Sequence, residues 1–372
     1  MKLVDIRRIL VIRLDAIGDV VLTSPFLREL RRNFPKAYIS LLVAPIAYNL
    51  VELCPYVDEV FIYDFRKYDV LEYLRFLRLA FVHLREKEFD LALIPRWDVD
   101  LYRATFIAFL SGARLRVGYS EKVSSYKAIK NKGFDLFLTH AIESKEAKHE
   151  VERNLDILRF LGLEVLDDSL ELWTGGEDER FADSLVRGLG LDRKMLVAIA
   201  PGAGQLKKRW PVERFLEVCK WLMKEYGAFF IILGGKGEER LGAFLEEGLK
   251  GNAVDLVSKT TLRQAGALLK RVKLFIGNDS SLMHMAAASR IPVLALFCHP
   301  EDGDPNAFNS PLRFGPWKTE SVVLQPKRAL PPCSLECKAG YPHCILGIDV
   351  DQVKEAVSFL LNGIIEKDER NN

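Results

Sequence analysis

The sequence predicts an α/β protein made of two doubly wound, Rossmann-like domains, and three observations carry that expectation. At 372 residues the chain is longer than one hydrophobic core ordinarily grows. Short runs rich in Val, Ile, Leu and Phe alternate with longer amphipathic stretches, the rhythm of strands joined by crossover helices. The alternation stops and restarts once, near residues 164–177 around Leu172-Trp173-Thr174-Gly175-Gly176. The expected division is a first domain over residues 1–175, a second over 176–350, and a C-terminal helix and tail over 351–372.

In the first half, residues 9–13, 38–43, 60–63, 91–95, 115–119 and 134–138 read as strands, most of them apolar on both faces, as strands covered by helices are. Residues 25–33 and 70–87 read as helices between them. In the second half the strand runs are 195–200, 229–233, 254–257, 274–276, 293–297 and 322–324. Residues 349–361 form a last amphipathic helix, followed by a polar tail expected to fray over 366–372. Sites in such sheets lie beyond the carboxyl ends of the strands, so the expectation is two facing crevices sharing one cleft.

Composition narrows the function. The apolar fraction of 49% and charged fraction of 28% are those of a globular protein, and a net charge of +2 gives no global attraction to nucleic acid. No apolar run approaches the ~20 residues of a membrane helix; even residues 76–84 are cut by Arg78 and His83. Asp5, Arg7 and Arg8 precede the first strand, unlike a signal peptide, so the expected location is cytoplasmic. Cys54, Cys219 and Cys298 sit singly among apolar neighbours and read as buried thiols.

Polar clusters fall at the predicted strand ends. Lys273-Leu-Phe-Ile-Gly277-Asn278 breaks into Asp279-Ser280-Ser281, residues of N-cap type, and His284 shares the first helical turn with both serines. The first amides of such a helix have no intrahelical partner and make a ready anion site; an ordinary capped helix with a satisfied histidine explains the segment as well. Gly18-Asp19 follows the first strand, as a helix cap or as something more. Pro201-Gly202-Ala203-Gly204 leads into Lys207-Lys208-Arg209-Trp210-Pro211, small residues that admit a phosphate and cations that neutralise it, or else a solvated basic loop. Glu238, after Gly234-Gly235-Lys236-Gly237, is placed to grip a ribose hydroxyl or merely to start a helix. None of these is a G-x-G-x-x-G fingerprint, which argues against a nicotinamide or flavin fold.

Together these stretches resemble glycosyltransferase family 9, the heptosyltransferases of lipopolysaccharide core assembly. The matching features, in order, are the strand, Gly-Asp and Pro-bearing helix of residues 9–25, the Pro-Gly-Ala to Lys-x-Trp-Pro turn of 201–211, and Asp-Ser-x-x-x-His-x-Ala-Ala at 279–287. The resemblance covers nearly the whole chain. It implies two facing Rossmann-like domains of the GT-B type, with an ADP-sugar donor held by the C-terminal domain and the acceptor by the N-terminal one. It also implies inversion at the anomeric carbon without a metal or other required cofactor. By the same resemblance Asp19 is the base, Lys208, Ser280, Ser281 and His284 contact the diphosphate, and the region of Thr260 contacts the nucleotide.

The chemistry suits those residue types. Moving a sugar from a diphosphate to an alcohol needs a base for the alcohol's proton and compensation for charge on the leaving group. Asp19 fits the first need; Lys208, His284 and the helix mouth with Asp279, Ser280 and Ser281 fit the second, beside the Gly202-Ala203 turn. No clustered carboxylates of a magnesium site lie on those turns. The competing reading is a noncatalytic nucleotide-sugar or anion-binding module on the same fold.

The acceptor side rests on Arg96, Arg103, Arg114, Arg116, Lys122, Lys127, Lys130 and Lys132, of which Arg96 and Arg116 are singled out for anionic groups of a lipopolysaccharide core or lipid-linked acceptor. Residues 66–87 mix Leu71, Leu74, Phe76, Leu77 and Phe81 with Arg66, Lys67, Arg75, Arg78 and Arg85, a core helix with a basic face or a peripheral contact with the inner membrane. Cys333, Cys337 and Cys344, with His343, match no zinc-finger spacing, and adjacent His343 and Cys344 are expected to be poor partners in one tetrahedral site. Buried thiols or a cysteine pair are the favoured reading over a metal centre.

Overall fold

The computed structural model describes residues 5–65, 71–191, 193–335 and 338–371, with side chains up to 363. The chain divides into two compact units, Met1–Ser169 and Leu170–Asn372.

The first unit is a six-stranded sheet of β1 (Arg8–Arg13), β2 (Tyr38–Val43), β3 (Glu59–Ile62), β4 (Leu91–Ile94), β5 (Leu115–Tyr119) and β6 (His140–Ile142), ordered β3-β2-β1-β4-β5-β6. Every pairing is parallel. The central strands are apolar on both faces because helices cover both: Leu10, Ile12, Leu42, Ala92 and Ile94 pack on one side with Phe76, Leu84 and Ile107. A fully buried Phe76 or Leu84 contributes on the order of 2 kcal/mol each.

The sixth strand departs from expectation. Residues 134–138 are not a strand: Phe134–Phe137 is a 3₁₀ turn entered through Gly133 at φ +87, and His140–Ile142 pairs with β5 instead. The apolar run misled because its rings pack on each other and on a helix, with Phe137 5.3 Å from both Phe106 and Phe109. Asp135 holds the turn by accepting from Ser120 Oγ at 2.7 Å and from the Glu121 amide at 2.8 Å. The expected helix over 70–87 is α-helical at Glu72–Arg78, widens to a π-helix at Leu79–Leu84 and ends in a 3₁₀ turn at Arg85–Lys87; Val70 lies outside the described residues.

The second unit repeats the plan with β7 (Leu196–Ala200), β8 (Phe229–Ile232), β9 (Ala253–Asp255), β10 (Leu274–Asn278), β11 (Val293–Leu296) and β12 (Ser321–Leu324), ordered β12-β11-β10-β7-β8-β9 and all parallel. Its core joins Val197, Ile199, Ile276 and Leu294 to Trp210, Phe215 and Leu222 and to the last helix through Val353, Val357 and Leu360. That helix runs Val350–Asn371, so residues 366–371 continue it rather than fraying; Glu, Lys, Asp and Arg sustain a helix where no Gly or Pro interrupts. No described helix is long and apolar enough to cross a membrane.

In each sheet the strand order reverses once, between β1 and β4 and between β7 and β10. Those are the topological switch points where α/β sheets open a crevice at their carboxyl ends.

Lys127, expected in a solvated cationic region, is instead buried, and its ammonium donates to the carbonyls of Trp97 at 2.9 Å and Tyr119 at 3.0 Å. Burial pushes its pKa down to about 8. An unfolded lysine titrates near ~10.4, so between those values the unfolded chain holds one proton more, and this group makes stability rise with pH across that window. In urea unfolding at pH ~8 and ~10, the wild type should gain about 2 kcal/mol relative to Lys127→Met. An unchanging difference between the two proteins would show that burial does not lower the pKa of this amine.

Candidate functional site

At the first switch point β1 ends on Arg13, and the chain turns through Leu14, Asp15 and Ala16 into a short helix at Ile17–Val21. Asp19 lies in the first turn of that helix without capping it: the N-cap is Ala16, with no side-chain cap bond. Its carboxylate is gripped by Arg13, Nη2 to Oδ1 at 3.0 Å, and the side chain is 23% exposed, so it is both oriented and reachable. The same guanidinium reaches Asp15 through Nε at 3.2 Å and donates through Nη1 to the Pro95 carbonyl. From the end of β4, Arg96 pairs with the other Asp15 oxygen and donates through Nε to the Val99 carbonyl at 2.6 Å. Burial, together with the neighbouring Arg13, lowers the Arg96 pKa. Two guanidiniums and two carboxylates thus close most of one another's valences at the sheet's opening. Beside them a cavity of about 310 Å³ is lined by Asp15, Ala16, Pro45, Tyr63 and Tyr102 among others.

Arg96 therefore stands at the switch point, committed to Asp15. Arg116 does not. It is the second residue of β5, at the amino end of the sheet, and its guanidinium donates to the carbonyls of Phe137 and Ala113, both at 2.6 Å, while lying 5.5 Å from the Phe109 ring centroid. In this position it ties the β5 entrance to the aromatic turn.

At the second switch point the glycine turn after β7 meets the end of β10. Asn278, fully buried, donates through Nδ2 to the carbonyls of Pro201 at 2.8 Å and Gly202 at 3.3 Å, and accepts from the Trp210 amide at 3.1 Å. One side chain thereby fixes both ends of the loop that carries Ala203, Lys208 and Arg209. Gly202 is required by space: a Cβ there would fall 2.0 Å from Cδ of Glu238. Glu238 follows β8, accepts from the Gly235 amide at 2.9 Å and approaches Arg209 Nη2 at 3.4 Å. Arg209 also donates to the Ala203 carbonyl at 2.9 Å.

Lys208 reaches Asp279 with Nζ to Oδ2 at 2.5 Å, its side chain 16% exposed and that of Asp279 6%. A buried carboxylate repels a phosphate, so Asp279 serves here to aim and hold Lys208. The helix that follows, Ser281–Ala288, has Ser280 as N-cap, yet the Ser280 hydroxyl makes no cap bond. Its Oγ is buried and finds no hydrogen-bond partner among the described residues. A buried hydroxyl left open beside the first amides of a helix suits an incoming anion. Ser281 and the buried His284 share that first turn. Thr260 stands apart, in the turn after the edge strand β9, one residue before Thr261 caps the helix Leu262–Leu269.

Sequence reading did not single out Arg13, Asp15 or Asn278. The signal was present in two of them: a lone charge or amide closing an otherwise apolar strand must have a partner, and partners at a strand end are site residues.

The sequence profile of glycosyltransferase family 9 (heptosyltransferase) matches residues 78–339. The chain belongs to this family. Among relatives, the lipopolysaccharide core heptosyltransferase OpsX of Haemophilus influenzae is 22% identical over 315 residues, 84% of this chain and 83% of that protein. Among solved structures, the family 9 glycosyl transferase from Veillonella parvula aligns with a TM-score of 0.77 at 23% identity over 98% of this chain and 99% of that one. The ADP-heptose LPS heptosyltransferase II of E. coli aligns with a TM-score of 0.71 at 22% identity over 96% and 99%. The pair of parallel six-stranded sheets is therefore the GT-B fold of family 9, and the protein is a glycosyltransferase.

Replacing Asn278 tests how this site is held. Asn278→Ala strands the Trp210 amide and the Pro201 carbonyl without partners, at ~1–3 kcal/mol each. Urea unfolding should show a loss of about 2–4 kcal/mol, and a loss under ~0.5 kcal/mol would mean that water replaces the amide.

Proposed function

We propose that this glycosyltransferase moves a heptose from an ADP-sugar to a lipopolysaccharide core acceptor, with inversion and without a metal. The observation that carries the reading is the second unit's helix mouth, where the open Ser280 hydroxyl, the first amides of the helix and an aimed Lys208 converge. The names of the relatives support the donor and acceptor classes.

In this reading the diphosphate sits on the mouth, with Lys208, Ser280, Ser281 and His284 taking up the charge that grows as the sugar's bond to it breaks. Gly202 and Ala203 let the backbone approach, and Glu238 and Thr260 serve the nucleoside. The acceptor hydroxyl attacks the anomeric carbon from the opposite face, which inverts it, and gives its proton to Asp19. Arg13 keeps that carboxylate pointed, and Arg96 shares with Arg13 the charge of Asp15. The carboxylates of the second site, Asp279 and Glu238, each already face a cation, which leaves charge compensation to lysine and amides rather than to magnesium.

Asp19→Asn should lower kcat by ~10²-fold or more while ADP affinity changes by less than ~3-fold, and wild-type initial rates measured in the first minutes after adding excess EDTA should be unchanged. Undiminished turnover in Asp19→Asn removes Asp19 as base. Binding of ADP-sugars with no turnover on any acceptor would favour the binding-module reading.

A lipid-linked acceptor also gives meaning to one exposed face. Tyr73, Leu74, Leu77, Phe81 and Val82 are 41–61% exposed on consecutive turns beside Arg75, Arg78 and Arg85. Apolar side chains flanked by arginines suit shallow insertion into an anionic bilayer. The protein should float with phosphatidylglycerol vesicles and not with phosphatidylcholine ones, and Leu74→Ser with Phe81→Ser should weaken flotation several-fold. Flotation independent of lipid charge and of these residues would end this part of the reading.

A further inference from the structure

After β12 the chain crosses residues 325–349 before the last helix, and among the described residues of that stretch only Cys344–Gly347 forms a helical turn, a four-residue 3₁₀ turn. So long a stretch with so little repeating structure needs other anchors. One set of side chains in it is built like a metal centre. The thiols of Cys333 and Cys344 and the His343 ring place one ligand atom each within 4.8 Å of one another. His343 Nδ1 lies 3.4 Å from Cys344 Sγ and 3.7 Å from Cys333 Sγ. A tetrahedral ion with metal–sulfur bonds of ~2.3 Å and metal–nitrogen bonds of ~2.0–2.1 Å requires S···N edges of about 3.6 Å, and the two distances bracket that value.

Adjacent His343 and Cys344 were expected to be poor partners for one ion. The backbone at His343, φ −139 and ψ −87, turns the ring back over its neighbour's sulfur instead. Both thiols are buried, Cys344 completely, within a wall that includes Ile345 and Ile348. The Lys338 amide donates to Cys333 Sγ at 3.2 Å, the kind of outer contact that steadies a ligating thiolate. Cys337 lies outside the described residues and has no part in the argument.

We infer that Cys333, His343 and Cys344 bind one zinc ion. Binding forms two zinc–sulfur bonds and one zinc–nitrogen bond to a neutral imidazole, and releases the two thiol protons to solvent. The ion is a staple and not a reagent. The Cys344–Gly347 turn packs on the Leu206–Lys208 turn. Beyond it, the Ile348 carbonyl accepts from Trp210 Nε1 at 2.9 Å and from Arg214 at 2.7 Å, and the Leu346 carbonyl accepts from Arg214 at 2.9 Å. Fixing the loop at its three donors thus braces the segment that carries Lys208.

The test uses untagged full-length protein reconstituted with zinc and freed of excess. Elemental analysis should find about one equivalent, retained in Cys54→Ser and lost in His343→Ala and Cys344→Ser. Cobalt in place of zinc should give thiolate-to-metal charge transfer and the intense visible bands of a tetrahedral site, absent in His343→Ala. Prolonged dialysis against a strong chelator should lower the melting temperature, and zinc should restore it. If Cys344→Ser does not fold, His343→Ala, at a half-buried position, decides. Folded wild type with less than about a tenth of an equivalent and no cobalt bands, metal retained in His343→Ala or Cys344→Ser, or a native Cys333–Cys344 disulfide would each overturn the inference. No readout needs donor, acceptor or turnover, so failure here leaves the glycosyl-transfer reading standing.

Discussion

The carboxamide of Asn278 is the point on which the second unit's switch-point loop depends. It terminates β10, yet all its reach is spent on other segments: two carbonyls of the glycine turn after β7 and the amide of Trp210 at the far end of the basic loop. Backbone polar groups at a strand end must find partners, and a loop bent around a ligand site has few of its own. One buried amide, able to donate and accept at once, satisfies both ends of that loop and so sets where Lys208 and Arg209 begin. An aspartate could serve Trp210 but would face Pro201 and Gly202 with the wrong sign.

Charge is handled alike at the two switch points. Each cation that faces a crevice already has an internal counter-ion: Arg13 with Asp15 and Asp19, Arg96 with Asp15, Lys208 with Asp279, Arg209 with Glu238. Buried pairs of this kind add little net stability, since desolvation consumes most of the attraction. What they supply is orientation, because a guanidinium with three partners has one position. Side chains fixed before a ligand arrives lose little freedom when it does, which is where such a site gains over a solvated basic loop.

Much of this was legible in the sequence, and the exceptions have physical causes. Strands apolar on both faces announce themselves, so eleven of the twelve runs marked as strands overlap strands in the structure. The exception, residues 134–138, shows that a short apolar run can be satisfied by ring packing in a turn as readily as by a sheet. Asp19, Lys208, Glu238 and Asp279 could be placed at strand ends because polar clusters there are visible by spacing alone. That Arg116 stands at the amino end of its strand was not legible, because a strand has two ends and composition does not say which one a cation occupies. Arg13 and Asn278 were passed over because their partners, Pro95, Pro201 and Trp210 among them, are brought near only by crossovers. The convergence of His343 with Cys344 was hidden for another reason: it depends on one backbone rotation that no spacing rule encodes.

Gly202 and Glu238 share a single volume. The carboxylate of one fills the space that any side chain on the other would need, so the two positions behave as one residue divided between distant stretches of chain. A family member that acquires alanine or serine at the first must shorten or redirect the second, whereas shortening the second first meets no obstacle. Exchange at this pair across relatives is therefore expected to run in one order, with the glutamate giving way before the glycine is filled.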